Sequence, residues 1–84
     1  VWAKGISDII IPSLVEFDPQ VIVLQIGADA HHGDPLGSLR VNSNTWIKAV
    51  HDIVGLNKPT IVLAGGGYDI HCTGLLWAAT CWSL

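Results

Sequence analysis

The stretch GADAHHGDPL at residues 27–36 directly follows an apolar run, VIVLQI at residues 21–26, which indicates a buried strand. The chain therefore leaves a strand and at once presents two carboxylates, two imidazoles and two glycines. Carboxylate oxygen and imidazole nitrogen are ligands that zinc accepts. Open α/β folds place their binding sites just beyond the carboxyl ends of their strands. This stretch is therefore the first candidate for a metal-binding site.

A second strand followed by glycines lies further along the chain. Residues 60–64 indicate a strand, and three glycines at residues 65–67 connect it to Tyr68. Because the carboxyl ends of parallel strands meet at one edge of a sheet, we expect Asp29 and Tyr68 to face a single site. Taken alone, each has a simpler explanation. Asp29 would be the acceptor of an Asx-turn, and Tyr68 a turn residue with its hydroxyl in water.

Helical patterns precede, join and follow the two strands. Apolar residues recur at helical spacing over residues 2–17. Pro12 is expected to kink or split that helix, and Asp18-Pro19 to end it, because the residue before proline leaves the helical region. A second helix is predicted to begin with Ser43 or Asn44 as its cap, and a last helix from about Ile70. The order α-β-α-β-α predicts the α/β fold class, with parallel strands joined by a right-handed crossover.

The composition indicates that apolar surface of this chain is covered by something else. Half of the residues are hydrophobic and only 13% are charged, whereas a typical soluble domain is about 25% charged. There is no methionine, and the chain begins and ends within helical patterns. We therefore expect residues 1–84 to be an incomplete part of one larger domain, whose remainder is their partner.

Charge and hydropathy exclude two classes of partner. The net charge is −3, and the basic residues are too scattered to form the footprint that nucleic-acid binding needs: Lys4, Arg40, Lys48 and Lys58. No apolar run approaches the roughly 20 residues of a membrane span. No leader is visible, and Cys72 and Cys81 are predicted to be buried free thiols. These features predict a cytoplasmic location.

A nucleotide-binding βαβ module is the alternative function. The glycines at residues 65–67 follow a strand and precede a helix, as a phosphate-binding loop would. However, the pattern GxGxxG begun at Gly65 requires glycine at the position of Ile70, and no Walker lysine follows. A non-catalytic relative of an enzyme is the third possibility.

Together the motifs resemble the histone deacetylase superfamily, in particular its class I and bacterial acetoin-utilisation branch. The resemblance extends over residues 6–82 and is carried by GAD at 27–29, GDPLG at 33–37, AGGGYD at 64–69 and Trp77. It implies a three-layer, parallel-sheet domain of the arginase/deacetylase type. Residues 1–84 would form the C-terminal part of that single domain.

The resemblance also implies roles for individual residues. Asp29 would be one of three protein ligands of a catalytic zinc, with iron(II) as the alternative metal. Tyr68 would donate its hydroxyl to the substrate carbonyl, and Leu36 would line the acyl-lysine channel. Three glycines would form the wall behind that tyrosine: Gly65, Gly66 and Gly67. The implied activity is hydrolysis of an N-acetyl amide, in acetyl-lysine or in a small acetylated amine.

The two histidines invite a different assignment, which we reject. Residues 29–34 closely match a separate motif of the family, Asp-x-His-His-Gly-Asp-Gly. In the family, the first aspartate and the first histidine of that motif supply the other two zinc ligands. Here the stretch continues into Pro35-Leu36 instead of a glycine. We therefore expect His31 and His32 to lie at the rim of the site or behind the ligand.

Several parts of the family pattern are absent from these 84 residues. The separate Asp-x-His ligand pair is missing, as is the tandem histidine pair that supplies the general base and acid. The chain alone is therefore expected to be inactive. Ala64 stands where the family usually has a glycine, and Leu75 where class I members often have arginine. Asp34 is expected to be structural, accepting backbone N–H groups, and Trp77 and Trp82 to belong to the core.

Overall fold

Two parallel strands and three helical segments follow one another in the predicted order. The structure is a computed structural model that describes all 84 residues. Its helices are α1 (Trp2–Gly5), α2 (Ile11–Phe17), α3 (Ser43–Val54) and α4 (Ile70–Ser83), and its strands are β1 (Ile22–Gln25) and β2 (Thr60–Leu63). The predicted α/β class is confirmed for this chain. No helix combines the length and the apolar character needed to cross a membrane.

The first helical segment is divided, as Pro12 predicts. A π-helical turn, Ile6–Ile10, separates α1 from α2, and Ile11 donates its N–H to the carbonyl of Ile6. Proline lacks an N–H and its ring clashes with the carbonyl four residues earlier, so the wider turn gives it room. Asp18 ends α2 with a left-handed φ of 51°, in agreement with the stop expected before Pro19.

The sheet consists of β1 and β2 in parallel, paired from Ile22 with Thr60 to Gln25 with Leu63. A further hydrogen bond, from Ile26 N–H to the Leu63 carbonyl at 2.8 Å, extends the pairing one residue beyond β1. Both strands therefore end at the same edge. The loops that carry Asp29 and Tyr68 both leave from that edge.

The core lies where α3 and α4 meet the end of β1. Its buried members come from both helices and from the segment that follows β1: Ile26, Ala28, Val41, Trp46, Val50 and Leu76. Trp77 is partly buried and packs against this core, and it donates its indole N–H to the Ile26 carbonyl at 2.7 Å. The last residue of the apolar run is thereby fixed against α4.

Much of the apolar surface is exposed, which corrects three expectations. The apolar run at residues 21–26 was expected to be a buried strand, but Val23 in β1 is exposed. Trp82, expected in the core, is 93% exposed, and Cys81 is exposed as well. The physical reason is the one that the composition indicates: the chain has more apolar surface than its own elements can bury.

The cap of α3 also differs from the expectation. The N-cap is Asn42, one residue before the predicted Ser43 or Asn44, and its side-chain oxygen accepts the N–H of Thr45 at 2.8 Å. Its extended backbone, with φ −81° and ψ 160°, places the side chain over the first turn.

We predict that Asn42→Ala lowers the free energy of unfolding by about 0.5–2 kcal/mol, since it removes the cap hydrogen bond. Urea denaturation of the protein measures this loss. Asn44→Ala is the matched control and should change the stability by less than about 0.5 kcal/mol, because Asn44 is exposed. A larger loss in the control would show that Asn44 caps the helix.

Candidate active site

The loop after β1 begins with a short 3-10 turn, Ala28–Ala30, which has Asp29 at its centre. On one side, Ala28 donates its N–H to the carbonyl of Gly66 in the second loop. On the other side, His31 forms an isolated parallel bridge with Val41. The backbone on both sides of Asp29 is therefore held by partners distant in sequence.

The Asp29 carboxylate does not form the Asx-turn that would be its simplest role. The N–H of His31, which such a turn would use, donates instead to the Ala28 carbonyl at 3.0 Å. None of the side-chain hydrogen bonds of the chain involves this carboxylate. The side chain lies against Gly66 instead, where a Cβ would stand 2.8 Å from the Asp29 Cγ. The carboxylate thus keeps its oxygens free for a partner outside this chain.

Tyr68 approaches the same glycine. A Cβ built on Gly66 would lie 3.2 Å from the Tyr68 hydroxyl oxygen, so the carboxylate and the phenol converge around one residue. The absence of a side chain there permits both approaches. Tyr68 is 54% exposed, which leaves its hydroxyl accessible. Gly67 follows with a positive φ of 155° that favours glycine.

Asp34 connects the two loops. Its Oδ1 accepts the N–H groups of Leu36 and Gly37, both at 2.8 Å, and its Oδ2 accepts the N–H of Tyr68, also at 2.8 Å. Asp34 is only 8% exposed. The expectation that it accepts backbone N–H groups within its own loop is confirmed. The bond to Tyr68, 34 positions away, is one that the sequence analysis missed, because no local pattern signals it.

The hydrogen bonds keep Asp34 ionised in spite of its burial. Burial alone would raise the pKa of this carboxyl, but the N–H donors of Tyr68, Leu36 and Gly37 favour the charged form more strongly. The pKa of Asp34 is therefore lowered from its ordinary value.

His31 is buried and bonded through both ring nitrogens. Gly33 donates its N–H to Nδ1 at 3.2 Å, so Nδ1 is an acceptor, and Nε2 lies 2.8 Å from the Ser43 hydroxyl at the start of α3. Burial and the neighbouring His32 lower the pKa of His31, against opposing effects of Asp69 and Asp34. A neutral ring with its proton on Nε2 satisfies both contacts.

These contacts leave His31 no free nitrogen for a metal, in line with the rejection of that assignment. His32 is exposed, with its ring 4.3 Å from that of His31. Leu36 is 73% exposed beyond Asp34, at the rim of the same loop. Through its contacts with Gly33 and with Ser43, His31 connects the Asp29 loop to the start of α3.

The donor set of this chain fits one ligand of a metal site and not a complete site. No group of three or more histidine, cysteine, aspartate or glutamate side chains is placed to hold a metal ion. The Asp29 carboxylate, which accepts no hydrogen bond within this chain, lies beside Gly66 on the side that the Tyr68 hydroxyl also approaches. A metal at this edge would need further ligands from residues outside these 84.

The start of α4 is poorly suited to phosphate. Asp69 is its N-cap and its carboxylate accepts the N–H of Cys72 at 2.8 Å. That hydrogen bond lowers the pKa of Asp69. A negative charge therefore already occupies the helix N-terminus that a nucleotide phosphate would use. The Asp29 carboxylate beside Gly66 adds to the repulsion.

Comparison with known proteins identifies the family of this chain. The family model described as "Histone deacetylase domain" matches residues 1–84. Histone deacetylase 8 of Danio rerio is 38% identical over 61 residues, and a putative histone deacetylase 2 of Caenorhabditis elegans is 40% identical over 62 residues. Histone deacetylase 1 of Homo sapiens is 36% identical over 61 residues. The α/β fold with its two parallel strands is compatible with part of a deacetylase domain. The chain belongs to the histone deacetylase family.

The matched regions cover most of this chain but little of each relative. They include 73%, 74% and 73% of the chain, and 16%, 12% and 13% of the fish, nematode and human proteins respectively. The chain thus spans less than a fifth of the length of each of these three relatives.

We predict that the stabilising effect of Asp34 disappears in acid. Its pKa is lower in the folded protein than in the unfolded chain, so its contribution is complete above the unfolded value of about 3.9 and is lost as the pH falls through the folded value. Urea denaturation between pH 7 and pH 3 should show wild type more stable than Asp34→Asn at pH 7, with the gap closing below about pH 4.

The exposed Glu16→Gln is the control for this pH series, since it removes a carboxylate without backbone hydrogen bonds. A gap between wild type and Asp34→Asn that persists unchanged at pH 3 would contradict the assigned role.

Proposed function

We propose that this chain contributes Asp29 and Tyr68 to the active site of a metal-dependent deacetylase. The reaction is hydrolysis of an N-acetyl amide, in acetyl-lysine or in a small acetylated amine. The observation that carries the proposal is the convergence at Gly66 of a carboxylate without intramolecular hydrogen bonds and an accessible phenol. Membership of the histone deacetylase family supports the same activity.

In this proposal Asp29 is one protein ligand of a zinc ion, with iron(II) as the alternative. When bound, such a metal polarises the amide carbonyl and supplies an activated water. The remaining ligands, the general base and the general acid come from the rest of a three-layer domain, of which residues 1–84 form the C-terminal part. Asp29 supplies the negative charge at the edge where β1 ends.

Tyr68 acts on the substrate oxygen. As water adds to the amide carbon, negative charge develops on the carbonyl oxygen, and the Tyr68 hydroxyl donates a hydrogen bond to it. Gly66 and Gly67 provide the wall behind the phenol, and the exposed Leu36 supplies apolar surface for the acyl-lysine stem. Each of these roles uses a side chain or backbone segment at one edge of the sheet.

Nucleotide binding is the weaker candidate, because the Asp69 carboxylate caps α4 where phosphate would bind. A non-catalytic relative would keep the fold and the metal ligand without turnover. The activity measurements below distinguish both from the proposed deacetylase.

We predict different effects for Asp29→Asn and Tyr68→Phe when each is made in the complete reading frame that encodes these residues. Asp29→Asn should release the metal, measured by elemental analysis, and abolish hydrolysis of acetylated peptides and amines. Tyr68→Phe should retain the metal but lower kcat by about 10²–10³-fold, because one donor to the developing oxyanion is lost.

Asp8→Asn, on the exposed surface of the π-helical turn, is the control and should leave both metal content and turnover unchanged. Unchanged turnover in either active-site variant would reject the proposal. Stoichiometric nucleotide binding without metal would favour the alternative module.

The second functional prediction compares two glycines. A Cβ at Gly66 would overlap the Asp29 carboxylate, so Gly66→Ala should turn that side chain away and lower metal affinity or activity by about 10–100-fold. Gly74→Ala is the matched control, since nothing lies within 4 Å of its added Cβ. Normal metal affinity and turnover in Gly66→Ala would contradict the convergence of Asp29 and Tyr68 at this residue.

A further inference from the structure

The Asp34 carboxylate is shared between the two loops that carry the proposed active-site residues. Oδ1 accepts two N–H groups from its own loop, of Leu36 and Gly37, whereas Oδ2 accepts the N–H of Tyr68 in the other loop, at 2.8 Å. The two oxygens of one short side chain therefore tie the second loop to the first.

The first loop is in turn tightly packed around Asp29. The Gly37 backbone lies so close to the Asp29 carbonyl oxygen that a Cβ on Gly37 would overlap it. The N–H of Asp34 donates to the His31 carbonyl at 3.0 Å, and the His31 ring contacts Ser43 of α3. Asp34 thus stands on a segment whose position relative to Asp29 is determined by backbone contacts.

The Tyr68 side, by contrast, depends on few contacts. The residue is 54% exposed, so packing alone constrains the phenol only in part. The neighbouring ties are the Ala28–Gly66 hydrogen bond two residues earlier and the Asp69 cap one residue later. The bond from its own N–H to Asp34 is the one that ties the backbone of Tyr68 itself to the loop of Asp29.

We propose that Asp34 is a positioning residue for Tyr68: its buried carboxylate holds the Tyr68 backbone where the phenol reaches the site beside Asp29. This inference rests on the proposed function, because it concerns the placement of the proposed oxyanion donor. The Asp34 carboxylate accepts only backbone N–H groups, of Leu36, Gly37 and Tyr68, so its effect on the phenol passes through the loop that it binds.

The variant Asp34→Asn separates the two halves of this interaction. The asparagine carbonyl can still accept the N–H groups of Leu36 and Gly37, but its amide nitrogen then faces the Tyr68 N–H, and two donors cannot bond. The loop of Asp34 keeps its two hydrogen bonds while the connection to Tyr68 is lost. Asparagine has nearly the size and shape of aspartate, so packing changes little.

The test is a double-mutant cycle on turnover in the complete reading frame, with Asp34→Asn, Tyr68→Phe and the double variant. Asp34→Asn alone should lower kcat by at least about tenfold. The loss should not exceed that of Tyr68→Phe, about 10²–10³-fold, in which the hydroxyl itself is missing. KM and metal content should be retained. In the Tyr68→Phe background the same substitution should cost almost nothing further, since no hydroxyl remains to be positioned.

Each outcome decides between clear alternatives. An equal loss from Asp34→Asn in both backgrounds means that Asp34 acts independently of the phenol, which overturns this inference while the proposed function stands. If Tyr68→Phe has no effect, the proposed function itself fails. Glu16→Gln is the control and should leave turnover unchanged in both backgrounds.

A second measurement needs no variant and covers the case in which Asp34→Asn does not fold. Amide hydrogen exchange of the wild-type protein should be slow at Tyr68, although the residue is largely exposed, because its N–H is bonded to a buried carboxylate. Exchange of the Tyr68 amide at the rate of an unstructured chain would overturn the inference.

Discussion

The parallel pairing of β1 with β2 is the constraint on which the rest of the arrangement depends. Because Gln25 pairs with Leu63, both strands end at one edge, and the loops that follow are forced into contact. The Ala28–Gly66 hydrogen bond and the Asp34–Tyr68 hydrogen bond then join those loops directly. An antiparallel pair would have sent the two loops to opposite ends of the sheet. The direction of the strands therefore makes a shared site possible.

Two of the three buried polar side chains of this chain, His31 and Asp34, lie in the loop that follows β1. The buried polar side chains His31 and Asp34 both have their hydrogen-bonding atoms satisfied by loop partners. Asp29 is the exception at the same edge, with a carboxylate that its own chain leaves unbonded. An unbonded carboxylate among satisfied neighbours has its oxygens available for an external cation. The exposed side chain of Val23 in β1 is apolar surface that the other elements of this chain leave uncovered.

The comparison of expectation and structure separates local from long-range effects. Strand and helix types, the break at Pro12 and the stop at Asp18 were predicted, because each depends on the periodicity or backbone chemistry of adjacent residues. The cap of α3 was placed one residue too late, since Asn42, Ser43 and Asn44 all have side chains suited to capping, and only the backbone angles decide which one is used.

The candidate site divides in the same way. The amino-acid sequence by itself determined the α/β class, the order of the elements, the two loops and the residue types that Asp29 and Tyr68 bring to them, because these depend on nearest neighbours along the chain. Only the tertiary structure decided that Asp29 leaves its carboxylate unbonded, that His31 uses both nitrogens within the loop and that Asp34 reaches Tyr68. Those are hydrogen bonds between segments far apart in sequence, and their partners are selected by the packing of two loops at one sheet edge.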